Sequence, residues 1–310
     1  MGRSDHHLPD ALPDLQHILR SHSRGVRVID DQLRRRSVGA PAARSLLLTI
    51  LGEYVLPRGE AVWQETLVGA LVSVGHTSQA ARQALARSVR GGWLSTSRVG
   101  RRSRVSLSPG AASLLATGAS RIYSFGSPWD WDGRWLVLIL RVPESRREVR
   151  HLLRTRLAWA GLGSMGGGVW LTPHVDREAE LQAAVRSAPA ALATSFIGSL
   201  GMLGQGSEVA AAAWDLDEVR SQYEAFIEDF ASIRPSTGEA FFRMQTLLVH
   251  AWRKFPFLDP DLPAELLPSD WPRRRAHELF TGRHSVWSEP AQEWFESLEA
   301  GRPVGAARAA

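Results

Sequence analysis

Between residues 41 and 91 the apolar positions recur every three or four residues, the spacing of one buried helix face. In PAARSLLLTILGEYVLP, Leu46, Leu47, Ile50, Leu51 and Tyr54 fall on one side; Pro41 suits a helix start, and Pro57 and Gly59 end the run. In VWQETLVGALVSVG the face is Trp63, Leu67, Ala70, Leu71 and Val74, with Gly75 placed to stop it. A third helix follows, capped by the side-chain oxygen of Thr77 or Ser78, with Ala81, Ala84, Leu85 and Val89 inward. Gly91 and Gly92 break it, and the period then drops to two. WLSTSRV and SRVSLS read as short strands joined across GRR. Three helices and then a hairpin predict a winged helix-turn-helix.

PGAASLLATGASRIYSF reads as one further helix, and GSPWDWDGR as a turn-rich joint. RWLVLILRV is apolar without alternation, as in a strand buried on both faces. PESRREVRHLLRTRLAWAG is amphipathic: Val149, Leu152, Leu153, Leu157 and Trp159 or Ala160 face inward, and Arg146, Arg147, Arg150, Arg154 and Arg156 outward. GSMGGG reads as a loop, VWLTPHV as a strand, DREAELQAAVRSA as a helix, LATSFIGSL as a strand and EVAAAAWDL as a candidate fourth strand. That alternation predicts a ferredoxin-like α/β sandwich. The remainder is helical: DEVRSQYEAFIEDFASI, GEAFFRMQTLLVHAWRKF and a last helix near PAQEWFESLEA. A proline-rich band packed by Phe257, Leu258, Leu262, Leu266, Leu267 and Trp271 separates the last two. The expected class is α+β. It comprises a mobile arm over 1–40, a winged helix-turn-helix over 41–125, a ferredoxin-like middle domain over 126–215 and a helical domain over 216–310.

Charge turns this outline toward function. The net +5 is uneven: residues 44–121 hold ten arginines against Glu53, Glu60 and Glu65, and no acid occurs from Thr66 to Trp129. That asymmetry predicts a polyanionic partner for the N-terminal unit. Gln and Arg on the third helix can bond adenine and guanine edges, while hairpin arginines can follow phosphates. The expected DNA contacts are Thr77, Ser78, Gln79, Arg82, Gln83 and Arg87 on the helix, and Arg98, Arg101, Arg102 and Arg104 on the hairpin. The competing reading is a basic face that contacts protein. The chain has no cysteine, which removes disulfides, thiol catalysis and cysteine-bound zinc. No apolar run approaches the roughly 18 residues of a membrane helix, and no secretory signal is visible, so a cytoplasmic address without membrane attachment is expected.

Several segments, in order, resemble the PaaX family, the repressors of phenylacetate degradation. They are RSLLLTILGEYVLPRGEAVW, ARQALARSVRGGWL, WDGRWLVLIL, GVWLTP, AWDLDEVRSQYEAF and HAWRKFPFLDPDLPAELLPSDWP. The resemblance implies a Cas2-like middle domain and a homodimer on a palindromic double-stranded operator. It further implies release by phenylacetyl-CoA or a related acyl-CoA. Two features depart from the family: the long stretch from Met1 to Ala40, and Arg273-Arg274-Arg275 where a glycine is expected.

A Cas2-like fold also raises metal-dependent nuclease activity, the alternative function. Such nucleases place an aspartate at the end of the first strand, whereas here that strand ends ILRVPES; Asp130 and Asp132 precede it and suit a turn. The histidines do not fall in a metal-ligand pattern, so no catalytic residue, metal or cofactor is expected. An acyl-CoA site needs an apolar wall and cations, for which the candidates are Trp170, His174, Trp214, Tyr223, Arg253 and Trp271.

Overall fold

The computed structural model describes residues 41–186 and 192–301, so the arm expected over 1–40 lies outside the described residues. Helix α1 (Ala43–Ile50) runs on through a π-helical turn, Leu51–Val55. A short strand β1 (Val62–Trp63), α2 (Gln64–Ser73) and α3 (Ser78–Arg90) follow. Next come β2 (Leu94–Val99) and β3 (Arg102–Leu107), which form an antiparallel hairpin. β1 adds to the outer side of β3, giving the order β1-β3-β2. α4 (Pro109–Ser124), capped by Ser108, leads to the middle of the chain.

The middle unit is β4 (Arg134–Arg141), α5 (Arg147–Trp159), β5 (Gly163–Gly166), β6 (Val169–Thr172), α6 (Glu178–Arg186) and β7 (Leu192–Ser199). Its sheet is antiparallel throughout, in the order β5-β6-β4-β7, so the first strand is central and the last lies at an edge. β4 alternates as a strand must: Leu136, Leu138 and Leu140 pack on Leu153, Leu157 and Leu181 of the helices, while Trp135 turns to the opposite face with Leu171.

Two local expectations fail here. The glycine-rich GSMGGG includes a strand, β5, because its glycines mark close approach rather than slack. A Cβ on Gly163 would lie 2.6 Å from the Trp214 ring, and one on Gly168 would lie 2.2 Å from the carbonyl oxygen of Leu140. Second, the segment read as a fourth strand is helix α7 (Gly206–Ala213). Alanine is the best helix former, and Gln205 with Glu208 closes a reciprocal cap at its start.

The C-terminal part holds α8 (Leu216–Ala231), α9 (Gly238–Trp252), the short α10 (Phe255–Leu258) and α11 (Arg273–Glu299). α11 is much longer than the pattern suggests and contains Pro290. Tertiary packing carries it through: Ala276, Phe280, Trp287, Ala291, Trp294 and Phe295 are all buried.

The cores cross these sequence divisions. The N-terminal core is completed by Phe242 of α9 and by Ala291, Trp294 and Phe295 of α11. Tyr54 packs between Phe242 (4.7 Å) and Phe295 (5.2 Å). Each such aromatic is worth roughly 1.5–3 kcal/mol over leaving it exposed, so the N-terminal unit leans on residues from the far end of the chain. In return, Phe125, just past α4, enters the helical core beside Tyr223, Phe226, Trp252 and Phe280. Among the described residues no helix is long and apolar enough to cross a membrane.

Candidate nucleic-acid interface

Helix α3 divides into two faces. Ala81, Ala84, Leu85 and Ser88 are buried against α1 and α2. Gln79, Arg82, Gln83, Ala86, Arg87 and Arg90 are exposed, at the spacing of a single stripe. The Thr77 hydroxyl oxygen accepts the Ala80 N–H at 3.2 Å, so Thr77 and not Ser78 caps the helix. Ser78 is exposed in the first turn, where the free N–H groups and the positive end of the helix dipole favour an anion.

Strand β2 of the hairpin packs beside α3. Only Leu94 of β2 is buried; Ser95 to Val99 are exposed, and Val105 of β3 is the anchor. Register separates the four arginines. Arg98 faces Ser103, and Arg101 sits in the turn. Among the described residues neither is ion-paired, nor are Arg82, Arg87 and Arg90. Arg102 and Arg104 share the other face with Trp63, which lies directly across from Arg104. Their guanidinium groups lie 4.0 and 4.9 Å from the Trp63 ring centroid, a cation–π arrangement.

The surface is therefore less uniformly cationic than its sequence. Arg102 is 3.8 Å from Glu65, with both groups about half exposed, so it stays open to solvent. Arg104 is committed inward, to Glu299 at 3.5 Å and to the Ala61 carbonyl. Sequence reasoning missed Trp63 as a platform and Glu299 altogether. The apolar spacing assigned Trp63 to a core, and nothing local signals a partner 236 residues away.

A second feature lies where the N-terminal, middle and C-terminal parts meet. Arg121, Phe125, Arg177, Trp214, Phe257 and Asp261 line a cavity of about 140 Å³. Its cations are held in place: Arg121 donates to the Pro256 carbonyl (2.8 Å) and lies 4.7 Å from the Phe257 ring centroid, and Arg177 donates to the Ala160 carbonyl (2.9 Å). Behind it, buried Asp259 accepts two bonds from Arg273 (2.6 and 2.8 Å) and one from the Tyr223 hydroxyl (2.6 Å). Burial first, and then the Asp259 charge, raises the Tyr223 phenol above its ordinary range. Asp261 has left-handed backbone (φ 56°), and burial raises its carboxyl while Arg273 opposes. His174 Nε2 lies 3.2 and 3.1 Å from the carbonyls of Pro260 and Asp261; carbonyls only accept, so Nε2 carries the proton. Burial, and then Arg177, lowers the pKa of His174.

Of the six expected ligand residues, Trp214 alone lines this cavity. Trp170 is buried in the middle core, and Tyr223 stacks on Phe255 at 4.2 Å. His174 stacks on Trp129, Arg253 donates to Ser45 at 2.7 Å, and Trp271 lies under Arg220. Aromatic spacing marked rings without separating core from wall. Arg121 and Arg177, which do line the cavity, are cations that periodicity could not rank. Asp132 shapes a turn, accepting the Arg134 N–H at 2.9 Å, and no group of His, Asp and Glu among the described residues could hold a metal.

Family models match the chain in order: a PaaX-like protein over residues 42–111, a PaaX protein central Cas2-like domain over 128–210 and a PaaX-like protein C-terminal domain over 214–297. The chain is 30% identical over 247 residues to the transcriptional repressor PaaX of Escherichia coli (strain K12), spanning 76% of this chain and 77% of that protein. It shares its fold with the solved structure of the uncharacterized protein Rv0674 from Mycobacterium tuberculosis. That match has a TM-score of 0.58 and 22% identity, and covers 82% of this chain and 98% of the other.

Proposed function

The chain belongs to the PaaX-like family, and on that premise we propose that it is a DNA-binding repressor of an aromatic-acid catabolic operon, released by an aryl acyl-CoA. The observation that carries this reading is the exposed stripe of α3, Gln79, Arg82, Gln83, Arg87 and Arg90, whose arginines are ion-paired to none of the described residues, beside a hairpin with Arg98 and Arg101 exposed near its tip. The order helix, strand, two helices, hairpin, with sheet order β1-β3-β2, supports reading this unit as a winged helix-turn-helix. α3 then enters the major groove, with Arg82 and Gln83 on base edges. The hairpin follows the backbone through Arg98, Arg101 and Arg102, while Arg104 serves to hold it. The protein works in the cytoplasm, as a regulator rather than an enzyme.

A palindromic operator calls for two copies with recognition helices about 34 Å apart. Exposed Leu192 and Phe196, on one face of the edge strand β7, with Met202 and Leu203 exposed beyond the end of the strand, offer the second copy an apolar surface. The junction cavity suits the effector's aryl group, with Phe257 and Trp214 as walls. At about 140 Å³ it is smaller than the roughly 300–1,000 Å³ of a drug-sized pocket, so the nucleotide end lies outside it. Occupancy shifts the three parts relative to one another and lowers operator affinity, which needs a coupling of roughly 1–3 kcal/mol.

The test is a gel shift of the chain on its own upstream DNA, titrated with acyl-CoA thioesters. Retardation that an aryl-CoA reverses, and that free CoA does not, is expected. No shift on that DNA at any concentration below the non-specific range would remove the reading.

A further inference from the structure

Helix α2 has no cap of its own: Trp63 stands at its N-cap position without a side-chain bond to the first turn. The last residue of α11 supplies a different acceptor there, one for the N–H of the N-cap residue itself. The Glu299 carboxylate accepts the Trp63 N–H through both oxygens (3.2 and 3.0 Å) and the Thr66 hydroxyl (2.6 Å). It also faces Arg104 at 3.5 Å and is only 12% exposed. Trp63 is the strand residue paired with Arg104 and the ring beneath both Arg102 and Arg104. One carboxylate thus fixes the start of α2, the register of β1 on β3 and the root of the hairpin. Neighbouring contacts keep α11 in place: Glu296 pairs with Arg58 at 3.1 Å, and Leu298 lies close enough to Gly69 that a Cβ there would be 3.1 Å away.

We infer that Glu299 is a positioning residue for the hairpin: it caps α2 from α11, so that the C-terminal helix sets the pose in which the hairpin meets its partner. The other end of α11 explains why it can do so. Arg273, the first residue, is tied to Asp259 and Asp261 at the three-part junction. Between the ends, α11 is packed into both helical cores over 27 residues, roughly 40 Å at ~1.5 Å per residue. A helix held along its length moves as one body, so the hairpin cannot shift without it. That the partner is duplex DNA rests on the function proposed above; the positioning itself does not.

The test replaces Glu299→Gln, a near-isosteric change that turns an amide donor toward the Trp63 N–H and Arg104, with Glu299→Ala as the second variant. Far-UV circular dichroism and the melting temperature first establish that each folds. Hydrogen exchange of residues 62–66 and 94–107 is then compared with the parent chain, and operator affinity is measured across salt. Faster exchange confined to those segments is expected, with affinity lowered roughly fivefold, the size of a missing helix cap. Arg98, Arg101 and Arg102 hold fewer phosphates in a loosened hairpin, so the salt slope becomes shallower as well. Unchanged exchange at 62–66 and 94–107 in both folded variants would overturn the inference. If the parent chain binds no duplex, the proposed function falls while the exchange result still decides the role of Glu299.

Discussion

Three arginines stand in a row at the start of α11, and the structure ranks them. Arg273 is 12% exposed and donates to Asp259, whose side chain is 1% exposed, through two nitrogens, with a third bond to the Leu262 carbonyl at 2.7 Å. Arg274 is 81% exposed and, among the described residues, pairs with Glu278, one turn on; Arg275 is exposed. Replacing Arg273 with alanine leaves Asp259 as a buried anion whose remaining donors are the Tyr223 hydroxyl and the Asp261 N–H. Stranding one member of a buried pair costs roughly 3–5 kcal/mol. The exposed Arg274 pair is worth about 0.5 kcal/mol or less. At roughly 2–4 °C per kcal/mol for a chain of this size, Arg273→Ala should lower the melting point by about 6–20 °C and Arg274→Ala by about 2 °C or less. Urea unfolding and calorimetry of both variants provide the measurement. A further variant, Arg273→Ala with Asp259→Asn, removes the stranded charge and should recover part of the deficit. Equal unfolding free energies for Arg273→Ala and Arg274→Ala would show that Asp259 is solvated, and would refute the reasoning.

Other consequences follow from the same geometry. Arg98→Ala or Arg101→Ala should weaken binding to all duplex sequences and reduce the salt slope by about 0.9 for each phosphate no longer neutralised, read by fluorescence anisotropy at several salt concentrations. Gln83→Ala should instead relax base preference at one position, costing roughly 1–3 kcal/mol against the preferred operator and little against random DNA. Burial depresses the pKa of His174 below its unfolded value near 6.5, so the unfolded chain takes up the proton first. Stability from this group is intact above about pH 6.5 and declines as the pH falls toward its folded pKa. His174→Gln should flatten that part of the pH–stability curve, measured by urea midpoints from about pH 7 to 5. Gly163→Ala should destabilise by about 1–3 kcal/mol and displace Trp214 from the cavity wall, visible as a shifted tryptophan emission.

Local pattern was enough wherever one face of an element meets one core. The helical spacing of Leu46 to Tyr54 and of Ala81 to Val89, the two-residue alternation after Gly92 and the apolar run of β4 all specify elements whose burial is decided within a few residues. The absence of acid from Thr66 to Trp129 likewise marked one unit as the cationic one. Tertiary structure decided what depends on partners distant along the chain. β5 is a strand because Trp214 packs against Gly163 while Leu140 closes on Gly168 in the turn after it, and α11 passes Pro290 because two cores bury its face. Arg104 turns inward, and Arg101 does not, because Glu299 arrives from the opposite end of the sequence. Periodicity registers the solvent and core sides of one element. Which charge meets which, and which ring lines a cavity rather than a core, is fixed only when separate elements pack.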